Sequence, residues 1–391
     1  MFRTASFLRS HSQQILNFYK DRCIDPKGGY YQNFYDSGEV FGPGDKHLVS
    51  STRMMFNFYQ GYAEFAEPWM LEHAGHGYEY LMKHHWVLEA NHFVWLFADY
   101  RPKDLTQYCY GYAFVILALA AATRAGEVGA RQHLYATWEL WKTHFWLPEQ
   151  GLFADEITAD WKSVSSYRGQ NANMHACEAL LFAYEVTGDE EFLQVARHLA
   201  QKFTGDLCQQ TDGLVWEHYR EDLSIDWDYN RDDPRNLYKP WGFQPGHQTE
   251  WSKLLLTLNR HLPEPQWVMR AEQLFKVSMK VAWDQQYGGL FYGFAPDRSI
   301  CDSDKYFWVQ AESFAAAAML ARVTGEDDYW QEYDRLWDYC WQHFIDHEAG
   351  AWYRLLNHDN VRQSNRKSEA GAKCDYHSLN ACLEALRAVR S

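Results

Sequence analysis

A glycine followed by aromatic or aliphatic residues recurs along this chain at near-constant spacing, and it restricts the fold more than any other feature. It reads GGYY at 28–31, GLF at 151–153, GLVW at 213–216, GGLFY at 288–292 and GAWY at 350–353. Gly151 to Gly213 spans 62 residues and Gly289 to Gly350 spans 61. Gly29 to Gly151 spans 122, two periods, and WVLEANHFVW at 86–95 supplies the degenerate member between them. Gly213 to Gly289 spans 76, so that unit carries an inserted loop. Six repeats result, and a period of this size marks a stacked array of one supersecondary unit.

Each repeat has the same grammar. A charged amphipathic helix comes first, expected at 4–21, 68–85, 128–145, 189–204, 265–282 and 326–344. The Gly-aromatic turn follows as a short hairpin. A more apolar helix closes the unit, at 50–66, 107–124, 170–187, 246–261, 305–323 and 375–389. Ala176, Ala179, Leu180 and Ala183 illustrate the helical spacing. Repeats join through short links such as VTGDEEF and VTGEDDYW, where Gly ends one helix and acidic residues open the next. The second helices are apolar nearly all round and need burial on every side. That favours a closed toroid over an open solenoid: an all-α (α/α)6 barrel with short β-hairpins in its loops. No linker rich in Ser, Gly or Pro divides the chain, so residues 1–391 are read as a single domain.

Closure brings all six inner helices to the same end of the barrel, around one central pocket. Their starts carry Arg53, Tyr108 and Tyr110, then Asn171, Asn173 and His175, then His247 and Glu250, then Trp308, Gln310 and Glu312, and finally Asp375, Tyr376 and His377. His247 and Glu250 are three apart on one face of a first turn, so the Glu is expected to steady the His as an acid–base pair. Other features read as structural. His73, His76, His84 and His85 fall on an outer helix and are expected to be solvated. The acidic run at 226–233 is expected to form a loop capping the pocket. Lys239 reads as a hydroxyl contact or as an exposed side chain, and Cys177 and Cys382 as packed thiols.

Composition narrows the partners. A net charge of −15 and the lack of a basic stripe argue against nucleic acid and anionic membranes. The longest apolar run, 113–122, is too short to span a bilayer, and the first residues lack the apolar core of a signal peptide. Eight Cys with no C-x-x-C or zinc spacing suit free thiols in the cytoplasm. The 18 Trp, 26 Tyr and 23 Phe fill a large core and supply faces that can line a concave site and stack on sugar rings; the sequence specifies no oligomeric state.

Neutral imidazoles in a pocket move protons near pH 7. Two of them could remove and return a proton beside a carbonyl, with Arg53 stabilising an enediolate. Asn, Gln and Tyr suit hydroxyls, and Trp308 suits a sugar face. Two rival chemistries remain. His175, His247, Glu250 and His377 could ligate a divalent ion, although they form no familiar metal cassette. A pocket glycoside hydrolase would use paired carboxylates, but these positions are richer in His. No phosphate-binding loop is present. A non-catalytic glycan-binding barrel is the reading outside enzymology.

The segments YRGQNANMHACEALLFAYEVTGD, YNRDDPRNLYKPWGFQPGHQTEWSKLLL and KCDYHSLNACLEAL resemble the N-acylglucosamine 2-epimerase superfamily over essentially the whole chain. The run GFQPGHQTEW is most similar to its branch of aldose–ketose isomerases acting on mannose. The resemblance implies the (α/α)6 barrel and a metal- and cofactor-independent isomerase that interconverts D-mannose and D-fructose through a cis-enediol. It implies His377, His247, Glu250 and Arg53 as catalytic, and Tyr110, Asn171, His175 and Trp308 as substrate-binding. Within it, His377 matches the base that moves the carbon-bound proton and His247 matches the group assisting ring opening. The same residues serve sugar 2-epimerases, which stay the alternative.

Overall fold

The structure, a computed structural model, describes residues 1–390. Helices α1 (Ala5–Lys20), α2 (Leu48–Phe65), α3 (Pro68–Tyr80), α4 (Cys109–Ala125), α5 (Ala130–Phe145) and α6 (Gln170–Thr187) form three hairpins. Helices α7 (Glu190–Gln201), α8 (Pro245–His261), α9 (Pro265–Ala282), α10 (Phe307–Thr324), α11 (Asp327–His343) and α12 (Tyr376–Arg390) form three more. Odd helices lie outside and even helices inside. This is the (α/α)6 barrel, and each expected helix appears within a few residues of its place.

Local chemistry sets the boundaries. Thr4 caps α1 by accepting from Phe7 N, and Asp189 caps α7 by accepting from Glu191 N. Pro opens α3, α8 and α9, where the missing N–H has no intrahelical partner to lose. Gly126, Gly188 and Gly325 end α4, α6 and α10 at φ of 81°, 71° and 75°. A Cβ at any of these three would meet nothing within 4 Å, so the left-handed backbone alone selects glycine. The inner helices are buried as their composition demands. Every residue of α10 from Val309 to Ala321 is buried, and its Ala315–Ala318 stretch lets α8, α11 and α12 pack around it.

Two outer helices end differently from expectation. α3 and α7 give way to π-helical turns at Leu81–His85 and Lys202–Asp206. The first of these turns His85 inward. It is fully buried, its Nε2 3.0 Å from Ser51 Oγ and its Nδ1 2.8 Å from Val94 O. His73 and His76 are half-buried and bond the carbonyls of Lys20 and Gly29. Only His84 of the four is solvated; the backbone carbonyls of Lys20, Gly29 and Val94 hold the other three.

The strands close the ring. Hairpins pair Trp86–Val87 with His92–Phe93, and Trp146–Leu147 with Leu152–Phe153, directly after outer helices. The strands before the inner helices do something the sequence did not disclose: each pairs with the next repeat. Lys46–His47 joins Leu96–Ala98, Gln107–Tyr108 joins Glu156–Ile157, and Arg168–Gly169 joins His218–Tyr219. Phe243 bridges to Phe294, and Lys305–Tyr306 joins Leu355–Leu356. Finally Arg366–Ser368 joins Phe34–Tyr35, while α12 packs on α1, so the sixth repeat meets the first.

Two further devices hold each turn to its own inner helix. Side-chain amides clamp the backbone after the Gly-aromatic glycine: Asn173 grips both N and O of Phe153, Gln248 those of Val215, and Gln310 those of Leu290, all at 2.8–3.0 Å. Asn173 and Gln310 are thereby structural and not available to a ligand. Buried ion pairs link Asp25 to Lys46, Asp284 to Lys305 and Asp346 to Lys367, at 2.5–2.7 Å and each 21 residues apart. Cys177 and Cys382 are fully buried thiols, as expected. No helix among the described residues is long and apolar enough to cross a membrane.

Candidate active site

A single pocket collects residues from the first two turns of all six inner helices. α2 gives Arg53, α4 gives Tyr110, α6 gives Asn171 and His175, α8 gives His247 and Glu250, α10 gives Phe307 and Trp308, and α12 gives His377. All eight residues expected at the site line it. Its space, open mouth included, is about 620 Å³, a size suited to a small ligand. Tyr108 instead faces an adjoining cavity, which shares Tyr110, Asn171 and Tyr238 with the pocket.

His377 is 7% exposed, and its Nδ1 lies 2.7 Å from Glu312 Oε1. With a carboxylate accepting at Nδ1, the ring proton sits there and Nε2 is left as the basic nitrogen. Burial, with the Arg53 guanidinium and the Lys253 ammonium nearby, holds its pKa well below 6.5. His175 repeats the arrangement, with Nδ1 2.9 Å from Glu178 Oε2 and its pKa held by burial at about 4. Both imidazoles are therefore neutral at pH 7.

Between these two pairs lies Lys253, two turns into α8. Its Nζ is 2.6 Å from Glu312 Oε2 and 3.5 Å from Glu178 Oε1. The Glu312 contact is a charge pair without an aligned hydrogen bond. Burial and the neighbouring Glu312 push the pKa of Glu250 well above the usual carboxylate range, which favours its neutral form. Donor atoms of His175, Glu178 and Glu250, and of Glu250, Glu312 and His377, fall within 4.8 Å of one another, a spacing that would suit a cation. Lys253 supplies that positive charge from the chain itself.

The pairing expected for His247 is corrected. Its Nδ1 lies 2.9 Å and 3.0 Å from the two oxygens of Glu217, not against Glu250. Gln170 Nε2 donates to the same carboxylate at 2.8 Å, and Trp251 Nε1 donates to Gln170 Oε1 at 2.8 Å, which fixes the amide's orientation. Glu250 shares a helix face with His247 but makes no hydrogen bond through either oxygen, and its nearest imidazole is His175, at 3.9 Å. The i,i+3 relationship brings side chains to one face; here the turn between α7 and α8 supplies Glu217, which holds the imidazole instead.

Arg53 donates from Nη2 to Tyr110 OH at 2.9 Å, and its guanidinium carbon lies 4.1 Å from the centre of Phe114 and 4.9 Å from that of Tyr376. Aromatic faces thus hold the fork while Nε keeps no partner. Trp308 lies between the two site histidines, its ring centre 5.0 Å from His247 and 5.6 Å from His377. Asn171 keeps an unpartnered Oδ1, an acceptor for a hydroxyl. Sequence reasoning missed Glu217, Gln170 and Lys253, and also Tyr238 and Arg354 on the pocket rim.

The long insertion does cap the pocket, through Leu237, Tyr238 and Pro240. The acidic run before them stays outside: Asp228, Asp232 and Asp233 are exposed and absent from the lining. Lys239 pairs with Glu156 in the adjoining cavity.

Known proteins share both the sequence and the shape. The N-acylglucosamine 2-epimerase (GlcNAc 2-epimerase) family model matches residues 29–381. The D-mannose isomerase of Marinomonas mediterranea is 48% identical over 393 aligned residues, covering 99% of this chain and 98% of that protein. A crystal structure of D-mannose isomerase superposes with a TM-score of 0.97 at 47% identity, covering 99% of both chains. The cellobiose 2-epimerase of Spirochaeta thermophila superposes at 0.85 with 22% identity, over 99% of this chain and 97% of that one, a likeness of fold alone. Match, identity and superposition agree: the chain belongs to the N-acylglucosamine 2-epimerase family.

Proposed function

We propose that the chain interconverts D-mannose and D-fructose by moving one proton between carbon 2 and carbon 1 through a cis-enediol. The observation that carries the reading is a pair of imidazoles in one pocket, each with Nδ1 held by a carboxylate and Nε2 left free, flanking Trp308. The full-length D-mannose isomerase relative supplies the substrate class.

In this reading His247 takes the proton of the anomeric hydroxyl and returns it to the ring oxygen, opening the sugar. Glu217 keeps its Nδ1 protonated throughout. His377 then accepts the proton from carbon 2, and Glu312 stabilises the imidazolium formed. Arg53 binds the oxygen on which negative charge develops. His247 carries the proton of the carbon-2 hydroxyl to the carbon-1 oxygen, and His377 returns its proton to carbon 1, which lies on the same face of the enediol. Charge and atoms balance without a cofactor. Asn171, Tyr110 and His175 bind hydroxyls, Trp308 covers the sugar face, and Glu250, its neutral form favoured by burial, donates a hydrogen bond. Eight thiols and no disulfide suit the cytoplasm.

The test is incubation with D-mannose in deuterated water, with mannose, fructose and glucose resolved. Fructose carrying deuterium at carbon 1 is expected. Glucose labelled at carbon 2 would replace the reading with 2-epimerisation. Binding without turnover would overturn both.

A further inference from the structure

Lys253 is 5% exposed and lines, with Glu178 and Glu384, a cavity separate from the site pocket. It does not line the site pocket. A buried ammonium costs several kcal/mol to desolvate, and an apolar side chain of similar length would fill the same volume at less cost. Something other than packing must account for it. The carboxylates it touches, Glu312 and Glu178, are the ones that hold the Nδ1 atoms of His377 and His175.

We propose that Lys253 is a positioning residue for the isomerisation: its ammonium joins the His377–Glu312 and His175–Glu178 pairs into one charged unit and keeps His377 a neutral base. The proposal rests on the reading of His377 as the carbon base. Five inner helices contribute titratable groups to this cluster: Glu178 from α6, Glu250 from its own α8, Glu312 from α10, and His377 and Glu384 from α12 face the ammonium, while Arg53 from α2 acts on Glu250 and His377, and His175 from α6 on Glu178 and Glu312. Arg53 and Lys253 are the cations among them, set against Glu178 and Glu312 as carboxylates, while the third carboxylate, Glu384, is already paired with Arg260 at 2.6 Å. Burial alone would raise Glu178, yet Lys253 and His175 bring it below the ordinary range. Without Lys253 the group holds one positive charge too few and takes up a proton. Whether that proton settles on Glu312 or on His377, the ionised carboxylate beside a neutral imidazole exists only at higher pH. A lysine that merely filled space would change stability and leave this balance where it is.

The experiment compares the wild type with Lys253→Met and Lys253→Arg by kcat, KM and the pH profile of kcat/KM for mannose. Lys253→Met should lose roughly 10- to 100-fold in kcat with KM changed less than about threefold. Its acid limb should move up by about one pH unit or more, and Lys253→Arg should restore the limb. Lys253→Gln carries the same comparison should the Met variant not fold. The imidazole titration of His377, followed by NMR and assigned against His377→Gln, reads the charge balance whatever sugar is turned over. If the wild type forms no fructose, the functional reading fails, yet the proton affinity of His377 should still rise in Lys253→Met. A folded variant with an unmoved limb and an unmoved His377 titration would overturn the role of Lys253.

Discussion

Trp308 lies so close over Gly246 that a Cβ added there would sit 2.4 Å from the indole Cζ3. The indole can touch His247 and His377 at once because the first turn of α8 carries no side chain beneath it. Gly246→Ala should fold, since Gly246 is helical and its backbone is not left-handed. The methyl should push Trp308 across the pocket and raise KM for mannose roughly tenfold, about 1.4 kcal/mol of binding. Steady-state kinetics with a thermal melt checks this, and an unchanged KM would show that the ring does not cover the sugar.

Arg53 tests charge against geometry. Arg53→Lys keeps the positive charge and loses the fork that Tyr110, Phe114 and Tyr376 hold in place. Turnover should fall on the order of 10²- to 10³-fold, as when an oxyanion donor is removed, with a melting temperature close to wild type. Near-normal kcat would place Arg53 outside the reacting centre.

Glu217→Gln tests the tautomer of His247. The amide can present N–H to Nδ1 and drive the proton to Nε2, where the pocket needs a base. Ring opening should slow by roughly 10²-fold, and an acyclic substrate analogue should recover part of the loss. Glu250→Gln should leave the His247 tautomer alone, because those side chains share no hydrogen bond.

His377→Ala should abolish both fructose formation and exchange of the carbon-2 hydrogen with deuterated water. In the wild type the depressed pKa of His377 keeps the base neutral through pH 7. The acid limb of kcat/KM should therefore lie well below pH 6.5, activity falling only as the pH drops through the pKa of the folded enzyme. Exchange persisting at the wild-type rate in His377→Ala would remove it as the carbon base.

Prolonged treatment with a strong chelator should leave activity intact, because Lys253 supplies the positive charge among the carboxylates that would otherwise attract a metal. Activity that is lost and restored by stoichiometric divalent ion would reverse that assignment.

The fold was legible because the repeat announces itself twice, in the Gly-aromatic period and in the alternation of charged and apolar helices. Knowing the period placed His247, His377 and Arg53 at equivalent helix starts, and so in one pocket. Their partners were harder to see. Glu217 is 30 residues from His247 and sits in a turn, where no helical spacing connects them. A register signal does exist: Asp155 and Glu217 each stand four residues after the glycine of their turn, and both are buried. Aligning turns as well as helices would have marked that position as inward. Lys253 was hidden because a lysine three residues beyond a glutamate reads as an ordinary surface pair. The links from one repeat to the next rest on strands of two or three residues, too short for a period to show.

The joining of Arg366–Ser368 to Phe34–Tyr35 has a thermodynamic consequence. An open array frays from its ends, because a terminal unit has one neighbour to lose. A ring offers no such unit, and releasing any repeat breaks two seams at once. Amide hydrogens of the inner helices should then exchange with solvent only in global unfolding, at nearly one common free energy around the circle. Faster exchange should be confined to the insertion between Tyr219 and Phe243, which puts the enzyme's local motion in the segment that carries Tyr238 over the pocket.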